Sequence, residues 1–256
     1  MKPFDCHCHL YDESFDEDRV KVIEKAKKVL SGAVVVGEDS ESNRKVLELC
    51  KKYSKFLFPG LAIHPSKVHL LTDKEIDAEI SFIRKQKNLV CIGECGLDYM
   101  WAKKSGNYEE TKKRQQETFK KLIDLANDMN LPVNTHSRWA SPVVVKMLKE
   151  SKAKKVILHG FVATVSEAKE AAKLDYKITI GTNISHWTQT KDYLENLPME
   201  AFVLQTDSPA LGPVEGERNE PSNISLVVKE IAKIKKIPEE KVIEITNKNV
   251  KELFGL

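Results

Sequence analysis

Short apolar runs alternate with longer amphipathic stretches from one end of the chain to the other. The runs are Phe4–His9, Gly32–Gly37, Phe56–His64, Leu89–Gly96, Pro132–Ser137, Lys155–Gly160, Tyr176–Thr182 and Phe202–Asp207. They are rich in Val, Ile and Phe, and most stop at Gly, Pro or a polar residue, which predicts strands buried on both faces of a parallel sheet. Between them the apolar spacing changes to three and four. Asp16–Leu30 places Val20, Val22, Ile23, Ala26 and Leu30 at such intervals, and Tyr108–Met129 does the same with Phe119, Leu122, Ile123, Leu125 and Ala126. Ile224–Ile234 predicts another helix, and Pro238–Phe254 one or two short ones. Strand followed by helix, eight times over in 256 residues, predicts an α/β protein folded as a (β/α)8 TIM barrel with a single domain over residues 1–256. A doubly wound open sheet is the rival architecture. No G-x-G-x-x-G follows the first run, however, and no phosphate-loop motif occurs.

Composition narrows the class without naming a function. With 41% hydrophobic and 31% charged residues the chain reads as an ordinary globular protein. A net charge of +3 argues against a polybasic binder that works by bulk charge, and leaves nucleic acid as a substrate held locally. No apolar run approaches the roughly 20 residues that span a bilayer, and the first residues carry no apolar leader. Five cysteines suit reduced thiols, so a cytoplasmic protein without membrane attachment is expected, with a monomer favoured.

The chemistry-bearing residues gather at one kind of place. His7 and His9 end the first run, His64 the third, Glu94 lies near the end of the fourth, His136 near the end of the fifth, His159 near the end of the sixth, and Asp207 ends the eighth. In a barrel these are the strand rims that converge on one mouth. Side chains alternate along a strand, so His7 and His9 share a face while Cys6 and Cys8 share the other. Two imidazoles so placed can chelate one ion; the alternative is a hydrogen-bonded pair on a half-exposed strand. Cys91 and Cys95 read as small core residues. Glu94 inside an apolar strand is expensive unless bound to metal or paired with a Lys. Asp207 invites the same argument, with a helix N-cap before Pro209 as its alternative. His136 and His159 taken singly would be core histidines; taken together, four imidazoles and two carboxylates suffice for two metal ions with open positions.

As an ordered set, these motifs resemble the TatD family of metal-dependent hydrolases, within the amidohydrolase-like barrels. The resemblance runs through D-x-H-x-H-L (Asp5 to Leu10), G-x-x-x-H-P (Gly60 to Pro65), I-G-E-x-G-L-D-Y (Ile92 to Tyr99), L-P-V-x-x-H-S-R (Leu131 to Arg138), His159, T-D-S-P (Thr206 to Pro209) and R-N-E-P (Arg218 to Pro221). It extends to the tail, Thr246–Gly255. It implies a binuclear site with one ion on His7, His9 and Asp207, a second on His136 and His159, and Glu94 bridging. It also implies phosphodiester hydrolysis, typically as a DNase degrading from the 3′ end. Three positions depart from the family pattern and bear on substrate preference. Gln205 replaces a Glu, Trp139 an Asp that often follows H-S-R, and Leu122 a Gln.

Metal-assisted hydrolysis is the expected mechanism, with Glu94 and Asp207 as catalytic residues and Asp207 both ligand and general base. Zn, Mn or Mg are the candidate ions. Asp5 or Asp98 would accept hydrogen bonds from the far nitrogens of ligating histidines. His64 and Arg138 would hold phosphate oxygens; alternatively, Arg138 faces solvent. Glu220 would brace the rim through Arg218; alternatively, both belong to a plain surface loop. Tyr99, Trp101 and Tyr108, interleaved with Lys103 and Lys104 in a segment (101–121) of local charge +4, would stack bases and guide DNA, single-stranded DNA included. The same aromatics could instead form an apolar lid. The rival functions are a barrel hydrolase for a small ester, amide, lactone or phosphoester, and a barrel that only binds.

Overall fold

The computed structural model describes residues 1–256, Ser185 through its backbone alone. Eight strands form one sheet in chain order: β1 (Phe4–Cys8), β2 (Gly32–Val36), β3 (Leu57–Leu61), β4 (Cys91–Gly96), β5 (Val133–His136), β6 (Val156–Leu158), β7 (Lys177–Ile180) and β8 (Phe202–Leu204). Every pair whose register is described is parallel. The chain beyond β8 returns to β1. Asp207 N–H donates to His7 O at 2.9 Å and His9 N–H to Ser208 O at 2.7 Å, so the sheet closes on itself as a barrel. Closure removes the free edges that an open sheet would leave. Each strand lies inside one of the eight apolar runs, and β2 shows why: all five of its residues are buried.

The helices are α1 (Arg19–Val29), α2 (Ser40–Lys52), α3 (Asp73–Arg84), α4 (Tyr99–Lys104), α5 (Tyr108–Met129), α6 (Ser141–Glu150), α7 (Val165–Lys173), α8 (Thr188–Asn196), α9 (Ile224–Lys235) and α10 (Glu239–Phe254). Capping boxes start two of them, Thr72 with Glu75 before α3 and Thr164 with Glu167 before α7. Helix α5 buries Phe119, Leu122, Ile123 and Ala126 on one stripe and stops at Asn130, whose left-handed backbone (φ 54°) ends the hydrogen-bond ladder. The C-terminal stretch is one 16-residue helix and not two short ones. No Gly or Pro interrupts it before Gly255, and Val242, Thr246, Asn249, Val250 and Leu253 keep a single buried face.

Packing divides the chain into two compact units, residues 1–35, 48–58 and 164–256 in one and residues 36–47 and 59–163 in the other. The first buries Phe15, Ile23, Tyr193 and Phe202, and the second Leu61, Ile83, Ile92 and Phe119. Each such side chain contributes roughly 1.5–3 kcal/mol over an exposed one. Among the described residues, no helix is long and apolar enough to cross a membrane.

Candidate metal-binding site

In the first unit, β1 and the segment after β8 build a two-histidine, one-carboxylate cluster. His7 is buried near the end of β1 and His9 follows it. Their Nε2 atoms lie 3.4 and 3.3 Å from Asp207 Oδ1 and 3.2 Å from each other. His7 and His9 thus meet on one side of the strand as their spacing predicts, while the Cys8 thiol donates to Val34 O at 3.3 Å. Asp207 has a left-handed backbone (φ 59°), fixed by its N–H on His7 O and by Ala210 N–H on its own carbonyl at 2.8 Å. A turn follows it, not a helix, so the N-cap alternative for Asp207 is not realised.

Asp5 is fully buried in β1. Its carboxylate accepts the Thr206 hydroxyl at 2.6 Å and the backbone N–H groups of Thr206 and His7 at 3.0 and 3.2 Å. It therefore ties β1 to the segment carrying Asp207. Burial pushes its carboxyl up to about 7, against the pull of those hydrogen bonds.

In the second unit, the cluster centres on Glu94. The carboxylate is buried in β4, and Oε1 lies 2.8 Å from His136 Nδ1, 3.5 Å from His159 Nε2 and 3.7 Å from His64 Nε2. These described partners are imidazoles, not the lysine of the salt-bridge alternative. His136 Nε2 lies 3.0 Å from Asp98 Oδ2, as expected for Asp98. Burial alone would lower the His136 pKa, but hydrogen bonds with Asp98 and Glu94 outweigh it and hold it up at about 9. Asp98 shifts the other way. Burial raises it, yet the contacts with His136, the Trp101 amide and Arg138 leave its carboxyl below the usual range.

His64 sits closer to the acidic centre than a purely substrate-facing residue would. Its Nδ1 accepts Ser66 N–H at 3.2 Å, so in the neutral ring Nε2 carries the hydrogen and points a donor toward Glu94. That tautomer suits anion contact better than ligation, although spacing alone groups His64 with Glu94 and His136. Arg138 Nε lies 3.8 Å from Asp98 Oδ2 with the side chain 47% exposed, which answers the solvent alternative: it is tethered at one end and open at the other.

Other expected contributors are repositioned by packing. Tyr99 is buried, its hydroxyl accepting from Gln116 at 2.6 Å, and so is removed from base stacking. Trp101 and Tyr108 remain partly exposed. The positive charge expected along α5 is largely compensated: Arg114 meets Asp73, Lys121 meets Asp77, and Lys112, Lys113 and Lys120 face carboxylates within the helix. Arg218 grips Asp18 through two hydrogen bonds of 2.8 and 2.7 Å and donates to Ser14 O, while Glu220 pairs with Lys25. The R-N-E-P motif thus braces the approach to α1.

Asn219, between them, is not among the residues the sequence pattern singles out. It is fully buried, and its amide donates to Thr182 Oγ1, Thr206 O and Ala210 O at 2.8–2.9 Å, on either side of Asp207. Its place inside R-N-E-P was the available signal.

Both clusters fit divalent ions by their chemistry. Ligand atoms of His7, His9 and Asp207 lie within 4.8 Å of one another, as do those of His64, Glu94 and His136, and His159 Nε2 joins the second set 3.5 Å from Glu94 Oε1; a cation at either place offsets the cost of an enclosed carboxylate. The TatD related DNase family matches residues 4–255 of the chain. The chain belongs to that family. The deoxyribonuclease TATDN3 of Homo sapiens is 38% identical over 98% of this chain and 93% of its own length. The uncharacterized metal-dependent hydrolase YabD of Bacillus subtilis is 34% identical over 99% of both chains. The crystal structure of the TatD homologue YjjV from Escherichia coli superposes with a TM-score of 0.88 at 24% identity, covering 99% of this chain and 98% of its own, so the barrel is the TatD fold.

Proposed function

We propose that this TatD-family chain is a metal-dependent phosphodiester hydrolase acting on DNA, removing nucleotides from the 3′ end. The observation that carries the proposal is the meeting of strand-end imidazoles on shared carboxylate oxygens: His7 and His9 on Asp207, and His136 and His159 on Glu94. His7, His9 and Asp207 would hold one divalent ion and His136 and His159 a second, with Glu94 serving both as the family resemblance implies. When bound, such ions supply Lewis acidity at the phosphoryl group and make water a nucleophile near neutral pH. Asp207 takes the proton of the attacking water and returns it to the departing 3′ oxygen. Asp98 fixes the ring of His136 from behind. His64, through Nε2–H, and Arg138, through its open guanidinium, bind the non-bridging phosphate oxygens and orient the strand. The name of TATDN3 as a deoxyribonuclease supports DNA as the polymer.

Digestion of a single-stranded oligonucleotide labelled at its 5′ end tests this reading. The expected result is a ladder of labelled fragments shortened stepwise, formed only with added Mn²⁺ or Mg²⁺. Release of intact-length strand at high enzyme, alongside cleavage of a small carboxylic or phosphoric ester, would replace DNA with a small-molecule substrate.

A further inference from the structure

We propose that Trp139 is a stacking platform for an unpaired base of the DNA strand, a role that rests on the nuclease reading above and gives it a preference for single-stranded ends. Trp139 is 66% exposed, far more than Trp101 or Tyr108. Its backbone is left-handed (φ 58°). It occupies the third position of a tight turn, Ser137 to Ala140, closed by Ala140 N–H on Ser137 O at 3.0 Å. That position ordinarily takes Gly or Asn, and a bulky ring there is unfavourable on two counts, the strained backbone and the apolar area left in water.

The turn is nonetheless held firmly. Arg138 O accepts Tyr99 N–H at 3.0 Å on one side, and Val144 N–H on Ala140 O at 2.9 Å starts α6 on the other. The indole stands exposed on this turn, directly after the residue whose guanidinium lies 3.8 Å from Asp98, itself bonded to His136. A guanidinium and an indole on successive residues match the two parts of one nucleotide, a phosphate for Arg138 and a base face for Trp139. Stacking needs a base that is out of its duplex, and this is the origin of the preference for a single strand.

The test is a coupling measurement. KM is determined for the wild-type, Trp139→Gly, Trp139→Asn and Trp139→Phe proteins on two single-stranded oligonucleotides, one natural and one with abasic residues at its 3′ terminal positions. Gly and Asn remove the ring while suiting the turn, and either suffices if the other does not fold; Phe keeps a π-face. The expected result is that Trp139→Gly or Asn raises KM on the natural strand about tenfold, that abasic substitution does the same to wild type, and that the two losses together are no larger than either alone. Trp139→Phe retains most of the wild-type preference. Fully additive losses, or an unchanged KM, would overturn the stacking role while leaving the nuclease reading in place. Loss of a wild-type dimer on substitution, seen by sedimentation, would overturn it in favour of contact with a second copy. A wild-type protein inert on both oligonucleotides refutes the nuclease reading itself.

Discussion

His136 holds a proton between two carboxylates, and that proton competes with any cation for the ring. With both ring nitrogens engaged by Glu94 and Asp98, its pKa stands at about 9 without metal. A ligating imidazole must be neutral, so uptake at neutral pH has to expel the proton. The sign follows: affinity of the metal-free protein for Mn²⁺ rises with pH, by up to about tenfold per unit for one displaced proton, and levels off near 9. Calorimetry in two buffers of different ionisation enthalpy checks this through the number of protons released. An affinity flat between pH 6.5 and 9 would show that His136 is not a ligand.

The histidines and carboxylates were legible in the sequence because each sits at the end of an apolar run, a position that strand geometry alone assigns to the rim. The partners that Thr206 and Gln116 supply to Asp5 and Tyr99 were not. Asp5 is satisfied by Thr206, some two hundred residues distant, and Tyr99 by Gln116 on the following helix. Periodicity shows which side of an element a residue occupies but is silent about the partner that arrives there.

Elements hold the site in place through a few buried polar side chains. Asn219 is the most connected of these in the segment after β8, binding carbonyls that flank Asp207 and the hydroxyl of Thr182 after β7. Replacing it with Ala removes the donor to Ala210 O and leaves Thr206 O to the longer 3.3 Å bond from the Thr182 hydroxyl. Asn219→Ala should therefore lower stability by about 1–3 kcal/mol in urea unfolding and reduce kcat more than KM if the carboxylate beside it is the general base proposed above. A stability change below about 0.5 kcal/mol would mean that water takes over these bonds. The charge pattern of α5 was misleading for a reason visible only at this scale. Its lysines and arginine look like a DNA guide when read along the chain, yet α3 supplies Asp73 and Asp77 to the same face. Such exposed pairs are worth little individually, but together they offset much of the local positive charge. The sequence also left open one or two helices after Pro238; the uninterrupted apolar stripe makes one.

At the scale of the whole molecule, the strand–helix alternation was enough to anticipate the barrel, since a parallel sheet buried on both faces leaves continuous Val- and Ile-rich runs that no other element produces so regularly. The same burial encloses the sulfur. All five cysteines are buried thiols. Burial pushes the Cys91 thiol up to about 12 and those of Cys8 and Cys95 well above their ordinary value. Since the thiolate is the reactive form, the native protein should give almost no reaction with an aromatic disulfide reagent at pH 8 and five equivalents once denatured. Rapid titration of a native thiol would contradict this packing.

The near-neutral net charge of +3 bears on function in the same way. With the α5 charges compensated, hold on a polyanion falls to the rim residues and the bound ions. Activity should therefore track metal occupancy closely. The most direct test of the account strips the protein with chelator, returns Mn²⁺ stepwise, and follows bound metal and hydrolysis of a 5′-labelled single-stranded oligonucleotide in the same samples. The expected result is negligible activity in the stripped protein, recovery in step with occupancy to a plateau at about two ions per chain, and none for Glu94→Ala at any metal concentration. Full activity in the stripped protein, or full activity in Glu94→Ala, would contradict it.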